Sequence, residues 1–289
     1  MNLIVKFNAT YDKVFKSAFE QKLPCSALIN AILGSNYTPE DITYINTEQK
    51  NLSLKTKKAI FDINLITKNS YISLEMQKFK PNYNLRDRLL YYVLFNYAKS
   101  FLTGDDYIGT PTILICFTDY NFHKDTCVNI YTVNNYKDDE FLGIKIIIID
   151  LTKLENCDNI ELKKWLKLIK RNDFEDFKGE NEAMNDFVKR VIEMNNNGEW
   201  LDILHRDLLK FEEQAQKRWE EKIKAQATEQ GLKEGLEQGI KEGLEQGLKQ
   251  GKETNQKELI IRMFNNGLSI ENISKYTNID IETIKTYLK

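Results

Sequence analysis

Histidine is almost missing from this chain, His123 and His205 being the two examples, and the four cysteines, Cys25, Cys116, Cys127 and Cys157, stand far apart. No zinc-ligand spacing can be assembled from such a set, and the cysteines read as reduced thiols of the core or surface. An excess of one charge is missing too. With 41 Lys and Arg against 43 Asp and Glu, no global field advertises a nucleic-acid or membrane partner, so any such surface is local. Long hydrophobic runs are also lacking: "TILICF" at 112–117 and "IKIIII" at 144–149 are strand-length and far too short to span a bilayer. The opening "MNLIVKFNATYDK" has neither the apolar run nor the small-residue cleavage site of a signal peptide. The expectation is a soluble, cytoplasmic protein with no membrane partner.

What is present is a globular composition, 42% apolar and 11% aromatic, in 289 residues. That suffices for one large domain with an appendage, or for two domains. Between Tyr11 and Leu33 apolar residues recur at three- and four-residue steps, interrupted at Pro24, which predicts one or two opening helices. "DITYINTEQ" at 41–49 suits a strand. Leu90, Val93, Leu94, Tyr97 and Phe101 predict one face of a helix ended by Gly104. "TILICFTD" and "IKIIIIDL" are β-branched and continuously apolar, as fully buried strands are, with "CVNIYTV" a shorter strand between them. From about residue 160 the pattern is helical, with Trp165, Leu166, Ile169, Phe187, Val188, Val191 and Ile192 as its apolar positions. The fold class expected is α/β, a mixed central sheet flanked by helices, with an all-helical C-terminal extension.

Residues 231–254 repeat every four, with glycine at 231, 235, 239, 243, 247 and 251. A four-residue step advances a helix by about 400°, so the apolar stripe drifts and cannot form one straight seam. Two readings stay open, a marginal helical spacer and a glycine-lined surface for close helix pairing. Beyond it, a helix to Phe264, the breaker Asn265-Asn266-Gly267, an N-cap at Ser269 and a last helix from "IDIETIKTYL" resemble a helix-turn-helix. Lys285 and Lys289 are the basic residues of that last helix, beside Asp280 and Glu282. DNA contact and a small packing or oligomer module both remain open for it.

The stretch that carries chemistry is "FDINLITKNSYISLEMQ" at 61–77. A tight turn centred on Lys68-Asn69 sets Asp62 opposite Glu75, Asn64 opposite Ser73 and Ile66 opposite Tyr71, with Gln77 following Glu75 on its face. Phe61, Ile63, Leu65, Ile72, Leu74 and Met76 then share an apolar face. Two carboxylates about 5 Å apart repel by roughly 3 kcal/mol at an effective dielectric near 20. A proton, full solvation or a divalent cation relieves that, and oxygen donors without histidine or cysteine suit Mg²⁺ or Mn²⁺. By themselves the two acids read first as an ordinary solvated polar face of a hairpin.

Asp62, twelve intervening residues and Glu75-Met76-Gln77 are accompanied in order by "YDKVFKSAF", "RLLYY" at 88–92, "GDDYIGTPTILICFTD" and "LTKLE". This set resembles the PD-(D/E)XK nuclease superfamily and, more narrowly, its recombination-promoting nuclease or transposase-like family, over nearly the whole chain. The resemblance implies a nuclease-like core at 1–160, a helical extension at 161–230, a spacer helix at 231–254 and a helix-turn-helix-like module at 255–289. It implies a Mg²⁺-dependent DNA endonuclease acting in recombination, transposition-like events or defence, or else a catalytically silent relative that binds DNA or a protein partner. Asp62, Glu75 and Gln77 are the implied catalytic residues. Asp62, Glu75, the Met76 carbonyl and Asp12 are the implied metal ligands. Gln77 stands where the superfamily has lysine and can orient water but supplies no positive charge. Lys78, Lys80, Arg86 and Arg88 bracket the site as phosphate-binding candidates and as stand-ins for that charge. Asp12 reads equally as an exposed acid paired with Lys16, and Tyr92 as a core residue first, with packing on Arg88 or stacking on a base as its alternatives. Asp105, Asp106 and Asp119 read as loop or strand-end acids. A homodimer through the C-terminal helices is expected because cutting a duplex takes two cuts.

Overall fold

A computed structural model describes residues 4–49, 58–101, 109–122, 125–134, 140–175 and 177–289. Two compact units are present, Met1–Leu208 and Leu209–Lys289. The first opens with α1 (Asp12–Phe19) and α2 (Lys22–Leu33). Pro24, expected to interrupt the helical pattern, is instead the third residue of α2, where a missing N–H costs nothing. The break falls at Glu20-Gln21. After short strands β1 (Thr43–Tyr44), β2 (Glu48–Gln49) and β3 (Ala59–Ile60) come β4 (Ile63–Ile66), β5 (Tyr71–Gln77) and α3 (Leu85–Lys99). Strands β6 (Thr112–Thr118), β7 (Val128–Asn134) and β8 (Glu140–Asp150) and helices α4 (Ile160–Lys170) and α5 (Glu182–Asn196) complete the unit, which the start of α6 (Gly198–Asn265) joins.

One mixed six-stranded sheet of order β1-β4-β5-β6-β8-β7 organises these elements. β4 and β5 form the antiparallel hairpin in the expected register, Asn64 with Ser73 and Ile66 with Tyr71. β5, β6 and β8 run parallel, and β7 returns antiparallel at the edge. Alternation then sorts the strands onto two layers. Ile63, Leu65, Ile72, Leu74, Met76, Ile115, Phe117, Ile147 and Ile149 face a large core with α1, α2, α4 and α5, where Phe15, Phe19, Trp165 and Phe187 are fully buried. Leu114, Cys116, Ile144 and Ile148 face α3.

Three expectations about faces are corrected here. Phe61 does not share the face of Ile63. A bend at Asp62 interrupts the two-residue alternation, and the Phe61 ring packs 4.9 Å from that of Tyr92 on the α3 side. Leu90 and Leu94 are 46% and 43% exposed, while Leu89, Tyr92, Val93 and Asn96 are buried. α3 is apolar nearly all round, so its periodicity does not select a face. The sheet beneath it decides, because Asn64 and Ser73 are buried there and need a polar partner. Asn96 supplies it, donating to Asn64 Oδ1 at 3.1 Å and to Ser73 Oγ at 3.0 Å. The polar face of the hairpin is therefore covered rather than solvated. α3 itself is N-capped by Asn84 and ends at Ser100. Gly104, Asp105, Asp106 and His123 lie outside the described residues.

In the second unit α6 runs on through the glycine repeat, and α7 (Ile270–Thr277) and α8 (Ile281–Leu288) follow. Gly267 takes φ +88° after α6, and Ser269 caps α7 through the Asn272 N–H, as the sequence predicts. Ile260, Ile273 and Ile284 form the small core of this three-helix end.

The cover over the hairpin generates a test. Asn96→Leu removes two buried hydrogen bonds while keeping volume, and an expected loss of about 1–3 kcal/mol is measurable by urea denaturation.

Candidate active site

The hairpin and α3 bring the site together from three places in the chain. Asp62 lies in the bend before β4 and Glu75 lies in β5, and each binds the other's backbone neighbourhood. The Asp62 N–H donates to Glu75 Oε1 at 3.1 Å, and Asp62 Oδ2 accepts from the Met76 N–H at 2.7 Å. These two bonds extend the strand pair past its last ladder rung by means of side chains. Glu75 is 1% exposed.

Arg88 is the cation that meets this pair. From the first turns of α3 its Nη2 reaches within 3.5 Å of Glu75 Oε2, and its Nη1 donates to the Tyr83 hydroxyl. The guanidinium is flanked by rings, 5.3 Å from the centroid of Tyr83 and 5.0 Å from that of Tyr92. Tyr92 is buried and also packs on Phe61, so it holds Arg88 in place from the core side. The Tyr83 hydroxyl in turn donates to Gln77 Oε1 at 3.4 Å. Gln77, Tyr83, Arg88 and Glu75 thus form one connected polar chain. Tyr83 has no local sequence signal, because its contacts, Gln77 and Arg88, lie outside its own loop.

The other candidates are placed differently. Asp12, at the first residue of α1, is not joined to Lys16, which sits 3.9 Å from Glu20 instead. Asp12 is close enough to act on both Asp62 and Glu75 electrostatically. Lys78 turns to the α1 side. It donates to Thr10 Oγ1 at 2.5 Å, lies 4.1 Å over the Tyr11 ring and pairs with Asp119 at 3.6 Å, which Lys170 also meets at 3.0 Å. Lys80 and Arg86 are exposed, and the Arg86 guanidinium sits 5.5 Å over Phe122.

Crowding two acids side by side, Glu75 buried and Asp62 half-buried, shifts both. Desolvation moves Asp62 from 3.8 up to about 7, the negative charge of Asp12 adds to the rise, and the Met76 N–H and Arg88 oppose it. Glu75 is held well above the usual carboxylate range by its burial and by Asp62, with Arg88 pulling the other way. Asp12 keeps solvent contact, yet the protein crowded around its carboxyl partly desolvates it and raises it too, against Arg88 and Lys78. The site is therefore short of positive charge at neutral pH even with Arg88 in place.

An all-oxygen set of this kind suits a hard divalent cation, and Mg²⁺ needs only one or two carboxylates when water and phosphate complete its shell. Among the described residues no group of three or more acidic, His or Cys side chains is already gathered around a metal position. The two carboxylates fit such an ion as a minimal, not a saturated, donor set.

The shifts carry a pH signature for the metal-free protein. A carboxyl whose folded value exceeds its unfolded value holds its proton in the folded state, so stability falls as pH rises between 3.8 and about 7 for Asp62. Asp62→Asn keeps an acceptor for the Met76 N–H. It is expected to raise the urea midpoint at about pH 8 but not at about pH 4, flattening the pH profile of unfolding.

A family model described as PD-(D/E)XK nuclease family transposase matches residues 10–230, which includes α1, the hairpin, α3 and the parallel strands. No curated protein and no solved structure matches the chain. Among the described residues no helix is long and apolar enough to cross a membrane. With the match covering most of the chain, and with Asp62 and Glu75-Met76-Gln77 set on adjacent elements of a mixed sheet between helices, the chain belongs to the PD-(D/E)XK nuclease family transposases.

Proposed function

We propose that this protein is a divalent-metal-dependent endonuclease that hydrolyses DNA phosphodiesters, acting in recombination, transposition-like events or defence against foreign DNA. The observation that carries the reading is the pair of half-buried Asp62 and buried Glu75, clasped through backbone N–H groups of each other's neighbourhood and lifted in pKa, Asp62 by desolvation and by Asp12, Glu75 by burial and by Asp62. A stable fold keeps two acids in this state where a cation or proton is to be bound.

Asp62 and Glu75 would hold Mg²⁺ or Mn²⁺, with the Met76 carbonyl and Asp12 as further oxygen donors. Bound there, the ion would acidify a water and neutralise charge on the scissile phosphate. Met76 and Asp62 fix each other's position through their 2.7 Å hydrogen bond, so the Asp62 carboxylate cannot rotate freely. Gln77 orients water through its amide, itself oriented by Tyr83. Arg88 supplies the fixed positive charge that Gln77 does not, and its placement between the rings of Tyr83 and Tyr92 pre-organises it. Lys78, Lys80 and Arg86 remain candidates for DNA phosphate contact along the rim.

One observation favours the silent alternative, a nuclease fold that only binds DNA or a partner. Glu75 is already engaged on both oxygens, by the Asp62 N–H and by Arg88. In that reading the pair is a structural clasp neutralised by Arg88.

Plasmid nicking separates the two. The native chain is expected to nick with Mg²⁺ or Mn²⁺ and not with EDTA, and Asp62→Ala or Glu75→Ala to lose on the order of 100-fold or more. Nicking that survives either substitution removes the assignment, and no nicking with any metal supports the silent form. Arg88→Ala is expected to cost roughly 10² in rate while leaving the metal-induced rise in melting temperature.

A further inference from the structure

The glycine repeat of α6 packs on nothing among the described residues. Its six glycines lie in a helix interior, where each is less favourable than alanine. A Cβ at Gly231, Gly235, Gly239, Gly243, Gly247 or Gly251 would meet nothing within 4 Å. Next to this row runs an apolar one, Leu232, Leu236, Ile240, Leu244 and Leu248, each 58–72% exposed. On the other flank of the apolar row the charges alternate strictly at four-residue steps: Glu229, Lys233, Glu237, Lys241, Glu245, Lys249. Pairing along the helix goes to a different row, where Gln230 bonds Glu234 and Gln238 bonds Glu242, both at 2.8 Å. Among the described residues no ion pair joins the alternating charges to one another.

We infer that residues 229–249 form an antiparallel self-association surface, with the two-fold axis at the level of Gly239. When two copies of one helix pack antiparallel on their apolar rows, like flank faces like flank: the charged row meets the charged row and the glycine row meets the glycine row. With the axis at Gly239, residue i lies level with residue 478 − i of the second copy, by the sequence numbering. Glu237 then meets Lys241 of the second copy, and Lys233 meets its Glu245. The apolar residues of the two copies interleave two residues apart, as ridges in grooves. Gly239 meets its own copy, and Gly235 meets Gly243, so the backbones approach where a side chain would hold them apart. A slip of four residues sets Lys233 against Lys241 and Glu237 against itself, which makes the register self-specifying. The four-residue rows drift right-handedly, so the copies wrap in that sense and the pairs nearest the axis carry most of the discrimination. The second copy, rather than another partner, is the occupant because the alternation is complementary to itself.

This inference uses α6 alone and stands whether or not the hydrolytic reading does. The full chain is tested by sedimentation and by oxidative crosslinking on a non-reducing gel; its four native cysteines are buried. A dimer is expected, Gly239→Cys is expected to crosslink to itself, and Gly231→Cys with Gly247→Cys to crosslink only when mixed. Glu237→Lys is expected to weaken the dimer by about tenfold or more, and the exchange Glu237→Lys with Lys241→Glu to restore it. That exchange leaves like charges four residues apart within each helix, so recovery reports pairing between copies and not helix stability. A monomer, self-crosslinking at Gly231 or Gly247 alone, or no recovery in the exchanged chain overturns the proposal.

Discussion

Two acidic side chains that would repel in isolation are held together because Glu75 accepts from the Asp62 N–H and Asp62 from the N–H of Met76, the residue after Glu75. The Asp62 N–H on Glu75 and the Met76 N–H on Asp62 close the hairpin one step beyond its ladder. Each bond is charge-assisted when the acceptor is ionised, and each fixes the carboxylate that the chemistry concerns. The desolvation that raises both groups is the counterpart of this order.

Everything around the clasp serves to keep it buried and oriented. β5 is central in the sheet, paired on one side with β4 and on the other with β6, so Glu75 stands on a strand held along both edges. α3 covers the polar face and contributes Asn96 to Asn64 and Ser73 and, one helical face along, Arg88 to Glu75. The large apolar layer beneath, with Trp165, Phe187, Phe15 and Phe19, anchors α1 and so brings Asp12 to the edge of the same site. Lys78, adjacent in sequence to the motif, is committed to Thr10 and Asp119 on the other side of the strand. Strand alternation assigns that side, and it leaves the positive charge at the acids to a helix residue thirteen positions after Glu75.

A period of two was enough to read the hairpin register and to put Asp62 across from Glu75, because a strand pair offers a choice of two faces and one was uniformly apolar. The same rule failed at Phe61, one residue beyond the strand, where a bend ends the alternation. It also failed on α3, whose apolar residues encircle the helix. The buried face there was selected by Asn64 and Ser73, two strand residues more than twenty positions away that required Asn96. Tyr83 and its contact to Arg88 had no local pattern to reveal them.

Local sequence, then, determined the main helices and longer strands, though not the division of the strand expected at 41–49 into β1 and β2 in two different sheets. It also determined the pairing of the hairpin, the caps at Ser269 and Gly267, and which acids stand opposite each other, since these follow from periodicities and short-range turns. Tertiary structure alone decided that Glu75 is buried and Asp62 half-buried, that Arg88 and not Lys78 faces them, and that the polar face is closed by α3. Those outcomes depend on contacts between segments far apart in the chain, and desolvation, the force that gives the site its electrostatic character, exists only once the layers have closed over it.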